Sequence, residues 1–197
     1  MYKPGKETRG MIFDLDGTLA DTMPLHFKAW QTTCRSFGME MSREFLQSHM
    51  GRPGWEISKD IISLHGLNDK INDRDLVKAK VECYMAMENE VKEIRVIGDI
   101  VRKYHGIIPM AIGTGGFYEA ARKTLSRIGM SEYFDVMVTA DDVSKHKPHP
   151  ETFLKAAGLL NIEPAAIDVF EDGELGLEAA RRAGMNPIDI RPWIKAW

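Results

Sequence analysis

Four short stretches of this chain carry side chains fit for chemistry on an anion. Asp14 and Asp16 stand two apart, where the apolar run Met11-Ile12-Phe13 gives way to Gly17-Thr18. In an extended segment alternate side chains point the same way, so both carboxylates share one face at the end of a strand. At about 4 Å and an effective dielectric near 20 they repel by roughly 4 kcal/mol, so a cation or a proton belongs beside them. Thr114 ends a second apolar run, and Gly115 and Gly116 free main-chain N–H groups to face an anion at a helix N-terminus. Lys147 lies in the loop Lys145-His146-Lys147-Pro148-His149-Pro150-Glu151, and Glu171-Asp172-Gly173 closes a further apolar run. Carboxylates from two strand ends, a hydroxyl and a lysine suit a phosphoryl group together with an oxygen-loving divalent cation. Mg²⁺ fits, because it takes one or two carboxylates plus phosphate oxygens and keeps several waters. Singly, each signal is weak: an Asp pair also serves as cap or turn, a lone lysine is usually solvated, and glycine-rich strand ends are common turns.

To act together these groups must be carried to one place. Strand-like runs at 11–13, 107–113, 134–139, 166–170 and 187–190 alternate, in the second half of the chain, with helical patterns at 118–128, 151–160 and 175–183. Such alternation predicts a parallel sheet covered on both faces, with its chemistry just beyond the C-terminal strand ends. Between the first and second strands the text is helical instead, at 25–37 (after the N-cap candidate in Asp21-Thr22-Met23-Pro24), 43–50, 54–64 and 73–87. The predicted organisation is an α/β core at 1–22 and 94–197 with an all-helical insert at 23–93. His26 and Trp30, one turn apart, share a face of the first insert helix. Arg52, in the loop Gly51-Arg52-Pro53-Gly54, can reach a substrate anion or merely solvate the loop. The run Tyr84-Met85-Ala86-Met87 reads as helix core.

The 197 residues suffice for one domain, or for one core with a small inserted module. Hydrophobic content of 44% and charged content of 28% are ordinary for a globular protein. A net charge of −3 without a basic block argues against nucleic acid as a partner, whereas a small anionic substrate needs only one or two placed cations. No apolar run approaches the roughly 18 residues of a membrane span, and the first residues lack a signal peptide's apolar region. Cys34 and Cys83, far apart, read as reduced thiols of a cytoplasmic protein. Trp193 and Trp197 in the tail carry no assigned role.

The string Asp14-Leu15-Asp16-Gly17-Thr18-Leu19 after an apolar strand resembles the first motif of the haloacid dehalogenase (HAD)-like hydrolase superfamily. Thr114, Lys147 and the Glu171-Asp172 pair follow in that superfamily's order. Lys147-Pro148-His149-Pro150-Glu151 and Val169-Phe170-Glu171-Asp172-Gly173 resemble the versions found in the branch of β-phosphoglucomutase and small sugar-phosphate phosphatases. The resemblance implies a Rossmann-like core with a small helical cap inserted after the first strand, and a Mg²⁺-dependent reaction. It implies Asp14 as the nucleophile forming an aspartyl-phosphate, and Asp16 as general acid and base. The metal would be held by Asp14, the Asp16 main-chain carbonyl and Asp172, with Glu171 orienting a metal-bound water. Thr114, Gly115 and Lys147 would take phosphate oxygens, and His26, Trp30 and Arg52 would face a small phosphorylated sugar. The branch's mutases carry a cap arginine three residues after a cap-loop glycine, the place of Gly54 here, and tend to have valine where Thr18 stands. Both departures favour hydrolysis, with the mutase as runner-up and a non-catalytic phosphate-binding module as a third reading. The compact insert and full motif set are compatible with a monomer.

Overall fold

A computed structural model describes residues 2–194, the side chain of Glu88 excepted; Trp197 lies outside the described residues. Strand β1 (Gly10–Phe13) leads into four helices, α1 (Met23–Ser36), α2 (Arg43–Ser48), α3 (Gly54–Leu64) and α4 (Asp73–Met85). Then follow α5 (Arg95–Tyr104), β2 (Met110–Gly113), α6 (Tyr118–Arg127), β3 (Val136–Val138), α7 (Glu151–Leu160), β4 (Ile167–Glu171), α8 (Glu174–Arg182) and β5 (Asn186–Asp189). The strands form one sheet in the order β3-β2-β1-β4-β5, and every pair is parallel. The expected α/β fold, a parallel sheet with a helical insert after the first strand, is what the chain adopts.

The alternation of side chains along β1 divides the core into two layers. Met11 and Phe13 face one cluster with Ile97, Ile100 and Val101 of α5 and Leu125 of α6. Ile12 faces the other, with Phe153 and Ala156 of α7 and Ala179 and Ala180 of α8. A sheet buried on both sides explains why its strands read as continuous apolar runs. Helices α1 to α4 add a third cluster around Trp30, Cys34, Met41, Leu46, Ile61 and Leu76.

Several details differ from expectation. Helix α5 was not foreseen: Gly98 at its middle and the β-branched Val96, Ile97, Ile100 and Val101 obscure its period. A Cβ on Gly98 would fall 1.7 Å from Glu93 Oε1 and 2.6 Å from Met130 Cε, so both side-chain ends would have to move for any larger residue. Strand β2 begins at Met110, not at Ile107, which is 72% exposed; Pro109 has no N–H to give a ladder. The last insert helix stops at Met85, short of the expected Met87.

Candidate active site

The strand order places β1 between β2 and β4, so three of the four chemical stretches emerge side by side. Asp14 follows β1 directly, its N–H donating to the Phe170 carbonyl at 3.0 Å. The chain then turns sharply, the Leu15 carbonyl accepting from Thr18, Leu19 and Ala20. Gly17 is required twice over: its φ is +86°, and a Cβ would lie 2.3 Å from Asp172 Oδ2.

The crowding expected of Asp14 and Asp16 is relieved by giving each its own partners. Lys147, 2% exposed, reaches in from the loop after β3. Its Nζ donates to Asp14 Oδ1 at 2.7 Å, to Glu171 Oε1 at 2.5 Å and to the Gly113 carbonyl at 3.1 Å. An ammonium has three protons, and all three are used here. A phosphoryl oxygen that comes to Lys147 must displace one of these acceptors. Asp16 turns instead toward the insert, where its Oδ1 accepts from Thr22 Oγ1 at 2.7 Å and meets His26 Nε2 at 3.2 Å. Lys80 of α4 bonds His26 Nδ1 at 2.8 Å, and Tyr84 stacks on the imidazole at 4.2 Å. A lysine can only donate, so Nδ1 accepts and the Nε2–H points at Asp16.

Glu171 and Asp172 close β4. Glu171 Oε2 accepts the Gly173 N–H at 2.9 Å, and Asp172 Oδ1 accepts from the buried Thr18 hydroxyl at 2.9 Å. Carboxylate oxygens of Asp14, Glu171 and Asp172 lie within 4.8 Å of one another; the Asp16 carboxylate is not one of that group. Thr114 follows β2, its N–H bonded to the Val138 carbonyl and its hydroxyl accepting from Gly116 at 3.0 Å. Gly115 permits close approach of the insert, since a Cβ would be 2.6 Å from the Gly51 carbonyl oxygen.

These groups open onto a cavity of about 630 Å³ lined from the sheet side by Asp14, Asp16, Thr114, Gly115, Glu171 and Asp172. His26, Trp30 and Arg52 line it from the insert. Trp30 is nonetheless packing, 2% exposed within the insert cluster, with the Lys80 ammonium 5.6 Å from its ring. Arg52 is fixed by two carboxylates, Nε to Glu56 at 2.8 Å and Nη1 to Asp60 at 2.7 Å.

The charge balance sorts the acids. Burial pushes the Asp14 carboxyl well up; the Lys147 ammonium opposes this, while the charges of Glu171 and Asp172 add to it. Burial, then the charge of Glu171, push Asp172 up to about 7. Burial lowers the hold of Lys147 on its proton, but the charges of Asp14 and Glu171 outweigh it and keep the ammonium charged. Asp16 differs. Burial would raise it, yet the attraction of His26, the His26 and Thr22 hydrogen bonds and the charge of Lys80 hold it below the ordinary carboxylate range. Burial brings Lys80 itself down to about 8.

Thr22, Lys80 and Tyr84 are the neighbours of the site that the sequence reading missed. Thr22 looked like a helix cap and does hold the N-cap position, but its side chain caps nothing and serves Asp16 instead. Lys80 and Tyr84, one turn apart on α4, carry no signal that separates them from a solvated or core face. Replacing the fully buried Thr22 by the isosteric valine removes a hydrogen bond to a charged acceptor. Thr22→Val should therefore cost about 1.5–3 kcal/mol in urea unfolding at pH 7. A carboxylate held low contributes stability above its unfolded value that is lost as pH falls, so the deficit should shrink below about pH 4.

The chain belongs to the haloacid dehalogenase-like hydrolases, whose family model matches residues 11–190. Within them it belongs to the branch that holds β-phosphoglucomutase and the small sugar-phosphate phosphatases. It is 38% identical over 182 residues to the fructose-1-phosphate phosphatase YqaB of Escherichia coli, covering 92% of this chain and 96% of that one. It is 31% identical to the phosphorylated carbohydrates phosphatase of Thermotoga maritima, covering 90% of this chain and 82% of that one. The crystal structure of β-phosphoglucomutase from Clostridium difficile shares the fold, with a TM-score of 0.85 at 24% identity over 92% of this chain and 84% of that one. Among the described residues no helix is long and apolar enough to cross a membrane.

Proposed function

We propose that this phosphoric monoester hydrolase removes phosphate from a small sugar phosphate, fructose 1-phosphate or a close relative, through an aspartyl-phosphate on Asp14. The observation that carries the reading is the buried Lys147 bridging Asp14 and Glu171, two of the carboxylates that line a cavity walled on its other side by the insert. The similarity to YqaB over nearly the full length of both chains supports the substrate class.

Lys147 occupies Oδ1 of Asp14 and so orients Oδ2 toward phosphorus. As the Asp14–phosphorus bond forms, the bond from phosphorus to the sugar oxygen breaks, and Asp16 protonates that oxygen. Asp16 rests ionised, so the proton it passes to the leaving oxygen is supplied by the incoming phosphate monoester in its monoprotonated form. It then removes a proton from the water that releases phosphate and regenerates Asp14. Thr114, Gly115 and Lys147 hold the phosphoryl oxygens, and Arg52, steadied by Glu56 and Asp60, faces the sugar from the insert together with His26.

The donor set fits Mg²⁺. Three buried carboxylates share one ammonium, and the raised Asp14 and Asp172 show where positive charge is short. Hard oxygen ligands of this kind suit that ion. Asp14, Asp172 and the Asp16 main-chain carbonyl would hold it, with Glu171 beside them. When bound, it screens the approach of an anionic nucleophile to an anionic phosphate. The free thiols of Cys34 and Cys83 suit a cytoplasmic setting.

The test is phosphate release from a panel of sugar phosphates with Mg²⁺ and again after chelation. Rapid release from fructose 1-phosphate that chelation stops is the expected outcome. Glucose 6-phosphate formed from β-glucose 1-phosphate with a bisphosphate primer, and slow release from everything else, would replace hydrolysis by the mutase reaction.

A further inference from the structure

Trp55 is not among the residues that line the cavity, yet through it the insert grips two of the loops that carry the phosphate-handling groups. It stands at the second residue of α3, half-buried. Its indole meets the Phe117 ring at 5.4 Å and the His146 ring edge-on at 4.9 Å. Phe117 caps α6 two residues beyond Gly115, and His146 directly precedes Lys147. The main chain is close here as well. A Cβ on Gly115 would be 2.6 Å from the Gly51 carbonyl oxygen, and one on Gly51 would be 3.4 Å from Lys147 Cδ. Phe117 lines the cavity, and Trp55 packs on it. Two aromatic pairs from one side chain, on two core loops, make Trp55 a fastening for the insert.

The division of labour in the cavity gives that fastening a consequence. The groups that would hold and attack phosphorus, Asp14, Thr114, Gly115 and Lys147, all come from strand ends of the sheet or the loops after them. The opposite wall, which a leaving group must touch, comes from the insert through Leu46, Met50, Arg52, Ile57, Val77 and Val81. Seating the insert therefore matters for the organic part of a substrate and much less for the phosphoryl group.

We infer that Trp55 is a positioning residue: its clasp on Phe117 and His146 seats the insert over the phosphate loops and makes the site select sugar phosphates over phosphates with small leaving groups. This rests on the hydrolase reading above. Trp55→Ala should lower kcat/KM for the best sugar phosphate about 10- to 100-fold, mainly through KM. Hydrolysis of acetyl phosphate, whose leaving group is too small to need the insert, should change by less than about threefold. Trp55→Phe should recover most of the loss. Equal losses on both substrates, or no loss on either, would overturn the inference. The clasp is read independently of turnover by acrylamide quenching, taking the emission of Trp55 as the difference between the parent and Trp55→Phe. Phe117→Ala should make that emission more accessible, and unchanged quenching would refute the clasp. If the parent releases phosphate from no substrate, the hydrolase reading fails, and the quenching result still decides whether the fastening exists.

Discussion

Asp14→Asn is expected to abolish phosphate release, by on the order of 10⁴-fold or more, while leaving the protein folded. The amide keeps an oxygen that can accept from Lys147 but has no anionic oxygen to attack phosphorus. The substitution also removes one of three carboxylates packed around a single ammonium. Burial, with the charges of Glu171 and Asp172, already holds Asp14 well above its ordinary value. For an acid held high, the folded state binds more protons than the unfolded one, so stability is lost as pH rises through the folded value. Asparagine has no such loss. Without added metal the variant's advantage over the parent in urea should be larger at pH 8 than at pH 5. A folded Asp14→Asn that retained a tenth of the parent's rate would end the nucleophile assignment.

The reach of sequence reading here follows from topology. Residues as far apart as Asp14 and Asp172 meet because a parallel sheet sends every C-terminal strand end to the same edge, and apolar runs revealed the strands. The four chemical stretches were thus legible as one group before any coordinate was known. Their internal wiring was not. The spacing of Asp14 and Asp16 predicted two carboxylates needing a cation, but not that Lys147 would serve one while Thr22 and His26 took the other. That assignment depends on α1 and α4 folding back over β1, a long-range packing choice that no local pattern encodes. Trp55 illustrates the same limit: no local pattern singles it out, and only the docked structure sets it on Phe117 and His146. Helix α5 escaped notice for the opposite, local reason. Its central glycine, close to the side-chain ends of Glu93 and Met130, weakened a pattern that is helical in the fold.

Lys147→Met should be the most destabilising single change at the site, and the size of its effect should depend on pH. Methionine fills a similar volume and keeps contact with the Phe153 ring, 4.7 Å from the ammonium it replaces, so packing is largely conserved. What is lost is the cation. Asp14, Glu171 and Asp172, none more than 7% exposed, would then face one another with no counter-charge. Removing one partner of a buried ion pair costs about 3–5 kcal/mol. The carboxylates can escape part of that cost by taking up protons, which moves their folded values further up. The penalty should therefore be small at pH 5 and approach its full size at pH 8. Activity should vanish at both. The double variant Lys147→Met with Asp14→Asn isolates the pair: removing one of the stranded charges should restore part of the stability at pH 8, giving a coupling of about 1–3 kcal/mol between the two positions. If Asp14→Asn instead gains no more in the Lys147→Met background than in the parent, the effects add and the lysine is held by packing and not by charge. If the coupling appears at pH 8 and fades at pH 5, the same ammonium that would grip a phosphoryl oxygen is also what allows this cluster of acids to be buried at all.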